Sequence, residues 1–218
     1  MASRLFFFCL LILSTAQLDA ADFSNWQHNA VGYFKAERHA NQKKMPMVVY
    51  FHTDWCEQCA KLNANYLSDR KVKRLLDNFV RVEINPEKGP KDYALFQEYQ
   101  TQAFPGFFVV LPSLSDKRIR VHPLHNTGDW SVDQFHDEIR DFVTENFLQA
   151  GKLAAEKGSV RQAIKWFEKS LKFDNKNAEI YFELGQSYQA LGESAYANRA
   201  KQYFAKAERL DPKFALRE

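Results

Sequence analysis

Residues 45 to 67 read MPMVVYFHTDWCEQCAKLNANYL. The β-rich apolar run to Phe51, with Pro46 at its start, suits a buried parallel strand. From Cys56 to Tyr66 there is no Gly or Pro, and the stretch reads as helix. Cys56 therefore stands at a helix amino terminus and Cys59 one turn inward. Unpaired backbone N–H groups and the helix dipole there favour thiolate over thiol, lowering a reference pKa of about 8.5 toward about 7 or below.

What the pair is for depends on the compartment. Residues 1–20 hold Arg4, then nine uncharged residues from Leu5 to Leu13, then a small and polar stretch ending in Ala20. That is the three-part form of a cleaved secretory signal, with cleavage after Ala20 or, as second choice, Ala16. A retained anchor and a lipid-modified Cys9 are the alternatives. No later segment is long and apolar enough to span a bilayer, so the mature chain is expected to be soluble and periplasmic or otherwise secreted. Signal removal takes Arg4 and Asp19 together, and the formal charge stays at +3. The basic cluster Lys71, Lys73 and Arg74 reads as a solvated helix face, and no nucleic-acid partner is expected. An apolar content of 45% with 15% aromatics builds a core without disulfides.

Of three cysteines, Cys9 leaves with the signal, and Cys56 and Cys59 remain. A structural staple would close a larger loop, since stabilisation grows with loop length. A zinc site needs two more ligands; His52, His122 and His125 are the available histidines, but there is no second cysteine pair. A reactive dithiol needing no cofactor is the favoured reading.

Further along, LSDRKVKRLLDN reads as a helix started by Ser68 or Asp69, and FVRVEIN as a strand. A short helix lies within 91–100, followed by the strand GFFVVL and a strand in KRIRVHP. The last helix of this part opens at Ser131, with Gln134 completing a capping box. Strands alternating with helices imply an α/β sheet with right-handed crossovers.

DWCEQCAKL, followed about forty-five residues later by FPGFFVV, resembles the thioredoxin superfamily. SDRKV and a helical lead-in from Trp26 to Lys44 look most like the periplasmic thioredoxin-like domain of DsbD-type thiol:disulfide interchange proteins. The resemblance covers about 23–143 and implies dithiol exchange through a mixed disulfide. Cys56 would be the nucleophile and Cys59 the resolving thiol. Trp55 would flank the nucleophile, Pro105 would be the family's cis-proline, and the Phe104 backbone would pair with substrate. Trp55 as a plain surface aromatic and Pro105 as an ordinary turn proline are the bland alternatives. The family's buried acid six residues before the first cysteine is Tyr50 here, and an acid often found four residues after the second is Asn63. Proton transfer at Cys59 would then use Glu57, Glu83 or water, or be slow.

From about 144 strands disappear. Gly151 and Gly185 lie 34 residues apart, the period of a tetratricopeptide repeat. The first repeat, 144–177, places Gly151, Gly158, Ala163, Phe167 and Ser170 at packing positions. The second has Tyr181, Leu184, Gly185, Tyr188 and Gly192 in its first helix, then Ala200, Phe204, Ala207 and Pro212 in its second. Ala163 and Ala200 are 37 apart, so the second turn carries about three extra residues. A concave face would draw on Gln149, Lys152, Lys157, Glu179, Glu183, Gln186 and Gln189 to grip a protein partner.

The expected organisation is a signal at 1–20, an α/β thioredoxin-like fold at 21–143, two all-α repeats at 144–212 and a tail at 213–218. The expected activity is that of an exported protein-disulfide oxidoreductase, fed by an upstream membrane electron donor if the pair is kept reduced. The rival is a thioredoxin scaffold with little turnover that acts as a binding module through its repeats.

Overall fold

The computed structural model describes residues 23–124, 128–192 and 194–215. The expected signal with Cys9, the histidine His125 and the last tail residues, 216–218, lie outside the described residues. The described residues open with β1 (Gln27–His28) and α1 (Asn29–Lys43), followed by β2 (Met47–Phe51) and α2 (Glu57–Leu62). A π-helical turn at Asn63–Leu67 joins α2 to α3 (Arg70–Leu76), and β3 (Val80–Ile84) and α4 (Pro90–Glu98) follow. Then come β4 (Gly106–Leu111), β5 (Lys117–Val121) and α5 (Val132–Glu156).

The strand order is β1-β3-β2-β4-β5. β3 is parallel to β1 and β2, whereas β4 is antiparallel to β2 and β5. All five residues of β2 are buried because it is the middle strand, with each face covered by helices. Val48 and Tyr50 face a core completed by Leu62, Phe107 and the α5 residues Phe135, Ile139 and Val143. Met47, Val49 and Phe51 face the opposite layer, formed by Ala36 and Ala40 of α1 and Leu95 of α4. The lead-in expected to be helical from Trp26 starts instead with a short edge strand. Gln27 and His28 pair with Val82 and Glu83, and Asn29, at φ 58°, turns the chain into α1. Asp69 starts α3 by accepting from the Lys71 and Val72 amides, and the Ser131–Gln134 capping box starts α5.

α5 runs unbroken across the expected boundary at 143/144. Its buried residues Phe135, Ile139, Val143 and Phe147 recur every four positions. A four-residue spacing advances the apolar stripe by roughly 40° per step. The helix thus begins against the sheet and ends against α6 (Val160–Leu171), where Leu148 and Gly151 are buried. Trp166 of α6 belongs to the same core as Phe147, with ring centroids 5.3 Å apart.

The repeats continue with α7 (Ala178–Ala190) and α8 (Ser194–Leu210). Gly151 and Gly185 are close-approach positions. A Cβ on Gly151 would overlap the Phe167 ring, and one on Gly185 would come within 2.6 Å of Phe204. Gly158 does not have the packing role expected of it, and Gly192 lies beyond the helix in which it was expected. They follow the ends of α5 and α7 at φ 73° and 71°, with open space around them, and act through backbone freedom. The three extra residues of the second repeat are not in the turn. Phe167 is the eighth residue of α6 and Phe204 the eleventh of α8, so the insertion lengthens the start of α8. Pro212 lies beyond α8, at the start of a 3-10 turn.

Candidate redox site

Cys56 ends the loop after β2 and caps α2. Its Sγ accepts the Cys59 N–H at 3.0 Å, while its own amide donates to the Thr53 carbonyl at 3.3 Å. The two cysteines are joined as a disulfide, with Cα atoms 5.2 Å apart. Cys56 is 8% exposed and Cys59 2%. Cys56 lines an open cavity of about 570 Å³, rimmed by Trp55, Glu57, Gln58, Gln102, Ala103 and Phe104. Reagents in solution therefore meet Cys56, and Cys59 sits behind it.

The expected site residues converge, though not all in one way. Trp55 is 67% exposed, edge-on to Phe104 at 6.0 Å. The Phe104–Pro105 peptide is cis. Pro105 is buried and does not line the cavity; its carbonyl and that of Ala103 accept from Arg120. Gly106 follows, where a Cβ would stand 2.7 Å from the Thr101 side chain, so this loop tolerates no added bulk.

Sequence reasoning missed the group that fixes the rim. Trp55 donates its indole N–H to Glu87 at 3.0 Å, and Asp54 meets Lys88 at 2.9 Å and Asn85 at 3.4 Å. Lys88 is the first cause holding the Asp54 carboxyl below its ordinary value. The turn punctuation in NPEKGP was the available signal. Phe96 and Tyr93 of α4 extend the aromatic rim from Phe104, with neighbouring centroids 5.0 and 6.3 Å apart.

Beneath the pair, the Tyr50 hydroxyl donates to Asn63 Oδ1 at 3.0 Å and lies 3.5 Å from the Cys59 carbonyl. Burial, and then the charge of Glu83, push its pKa far above the ordinary tyrosine value. Tyr50 therefore stays protonated at neutral pH and cannot take the Cys59 proton. Glu83 is bound by two histidines, His28 Nδ1 at 2.7 Å and His52 Nε2 at 2.9 Å. Burial opposes its ionisation, but the two histidines outweigh burial and hold the carboxyl below its ordinary value. His52 also stacks on Tyr50 with centroids 5.2 Å apart. Glu57 is exposed at the cavity rim.

On the repeats, Lys152 is ion-paired with Glu179, and Gln149, Lys157, Gln186 and Gln189 are exposed. Glu183 is half-buried, and burial raises its pKa.

The family model described as Thioredoxin-like matches residues 29–112, and one described as TPR repeat matches residues 151–192. A thioredoxin domain-containing mitochondrial protein of Schizosaccharomyces pombe is 23% identical over 129 residues, which is 59% of this chain and 33% of that protein. The chain thus spans about a third of the length of this curated relative. A solution structure of a thioredoxin from Thermus thermophilus is 25% identical, covering 54% of this chain and 87% of its own, with a TM-score of 0.43. The oxidised DsbD C-terminal domain of Neisseria meningitidis is also 25% identical, covering 50% and 92%, with a TM-score of 0.41. The chain carries a thioredoxin-like domain, with the Cys56–Cys59 pair inside the matched residues, followed by a TPR repeat region.

Proposed function

We propose that this protein is an exported thiol:disulfide oxidoreductase acting on protein substrates, with its repeats engaging a protein partner. The observation that carries the reading is the asymmetry of the pair: Cys56 Sγ caps a helix at the edge of an open aromatic-rimmed cavity, and Cys59 is sealed behind it. In the reducing direction the Cys56 thiolate attacks a substrate disulfide. A mixed disulfide forms and one substrate sulfur leaves as thiolate, which is then protonated. Cys59 loses its proton and attacks Cys56 Sγ, forming the Cys56–Cys59 disulfide and releasing the second substrate thiolate. Trp55 and Phe104 offer apolar surface to the substrate chain beside the reacting sulfur. Export to the periplasm or beyond rests on the pattern of residues 1–20. An upstream membrane donor would be needed to return the pair to the dithiol form.

The second reading, a binding module of low turnover, is favoured by Tyr50, whose hydroxyl cannot serve as a base near Cys59. One comparison separates the two. Cys59→Ser should accumulate mixed disulfides with other exported proteins, seen on non-reducing gels of acid-trapped cells, and Cys56→Ser should not. Equal adducts from both variants would reverse or remove the assignment, and no adducts from either would favour the binding module.

A further inference from the structure

A second cavity, of about 420 Å³, opens where the thioredoxin-like domain meets the first repeat, and the redox pair does not line it. Lys43 and Lys44 at the end of α1 contribute one wall, and Lys169 and Lys172 at the end of α6 the other. Among the described residues none of these four lysines forms an ion pair. The carboxylate on the cavity wall, Asp77, is engaged by Arg81 at 3.1 Å. Lys169 gives one N–H to the Lys43 carbonyl at 2.7 Å, which fixes the ammonium at the seam between the two parts. Lys44 is held 4.8 Å over the Trp166 ring. Phe147, Phe173, Met45 and Pro46 supply apolar surface beneath the charges.

Four like charges repel one another where the one carboxylate in the lining is already engaged by Arg81. Burial lowers the Lys169 pKa, and Lys172 and Lys44 lower it further. Lys71, by contrast, has Asp133 opposite it elsewhere on the molecule. We propose that this junction cavity binds a small anion, phosphate or carboxylate, carried on an aromatic or apolar body. The ammonium groups hold the anion through charge-assisted hydrogen bonds, and the body rests on the phenylalanine side. Because one wall belongs to α1 and the other to α6, the ligand clamps the repeats onto the thioredoxin-like domain.

The test uses the full chain with phenyl phosphate, benzoate and inorganic phosphate, and with sodium chloride at matched ionic strength. Saturable binding of phenyl phosphate or benzoate in titration calorimetry is expected, with the tighter of the two identifying the anion, and inorganic phosphate should bind more weakly than phenyl phosphate. Lys169→Gln/Lys172→Gln should weaken binding about tenfold or more, the loss expected from charge-assisted contacts. Lys165→Gln/Lys201→Gln, on exposed positions outside the cavity, should bind as the parent does. The pocket double variant should unfold at a temperature no lower than the parent in dilute buffer, since it relieves repulsion. If it fails to fold, lysine acetylation of the parent followed by mass spectrometry decides the matter, with Lys169 and Lys172 protected by phenyl phosphate and Lys165 and Lys201 not. Heat signals reproduced by sodium chloride, the absence of protection, or equal binding by parent and pocket variant would overturn the site. Inorganic phosphate binding as tightly as phenyl phosphate would overturn the role of the apolar side.

Discussion

Replacing Tyr50 with aspartate tests what the middle of the sheet does to a proton beneath Cys59. Tyr50 is fully buried, its ring lies 5.2 Å from His52 and 6.0 Å from Phe107, and Glu83 is its partner across to β3. Loss of such a ring costs about 3–5 kcal/mol whatever polar residue replaces it. Tyr50→Asn therefore serves as the control of equal size that does not titrate. Burial and Glu83, the two influences that raise the Tyr50 pKa, act in the same sense on a carboxyl at this place. Its folded pKa lies above the unfolded value of about 3.9. The aspartate variant should thus match the asparagine variant below about pH 4, where the carboxyl is protonated in both states, and fall behind as pH rises to the folded pKa, after which the gap is constant. A rise of about two units makes that gap about 2.7 kcal/mol. Added to the lost ring, this takes about 6–8 kcal/mol from a domain whose stability is of order 5–15 kcal/mol. Urea unfolding followed by circular dichroism at about pH 4.5, 6 and 7.5 measures it. A gap that does not change with pH would mean that the carboxyl escapes to solvent or that Glu83 moves away, and the reasoning would fail. Where the aspartate variant remains folded, reduction of a model disulfide should gain a pH dependence that Tyr50→Asn lacks, because a carboxyl titrating near neutrality can accept the Cys59 proton.

Three further outcomes are expected. Gly151→Ala should destabilise by about 1–3 kcal/mol from overpacking against Phe167, partly offset by about 1 kcal/mol of helix propensity. In a double-mutant cycle Phe167→Leu should reduce that penalty, while Gly158→Ala, costing about 1 kcal/mol through its positive φ, should be indifferent to Phe167. Trp166→Ala should cost about 3–5 kcal/mol and split calorimetric unfolding into two transitions as the repeats loosen from the sheet domain, whereas a single unshifted transition would contradict the shared core. Glu83→Gln should lower stability near neutrality. Because the Glu83 carboxyl is held below its ordinary value, the stability it adds is complete above the unfolded pKa of about 4.3 and is lost as pH falls through the folded pKa, so the parent and variant should converge in acid. Unfolding curves that stay apart down to about pH 3 would show that the histidine contacts are not the cause.

The strand-to-helix placement of Cys56 was legible because each signal was local: an apolar run, a break, then a stretch without Gly or Pro. The Ser131 cap was legible for the same reason, and the start of α3 was narrowed to Ser68 or Asp69, since a cap bonds to amides two or three residues away. Glycine spacing located the repeats but not the roles. Gly151 and Gly158 look alike in sequence, and only the position of the Phe167 ring separates a packing glycine from a helix stop. The rim was illegible because Trp55 and Glu87 are 32 residues apart, and nothing near either one names the other.

The sequence by itself determined the order of strands and helices from β2 onward, the place of the dithiol at a helix start and the 34-residue period that follows, because these depend on propensity, periodicity and capping over a few neighbouring residues. Tertiary structure alone decided that one helix, α5, serves both cores, that Glu83 is shared by His28 and His52, and that Lys43 and Lys44 at the end of α1 share a cavity with Lys169 and Lys172 at the end of α6. Lys43 and Lys169 are 126 residues apart, and a contact over that distance is set by how the packed layers meet.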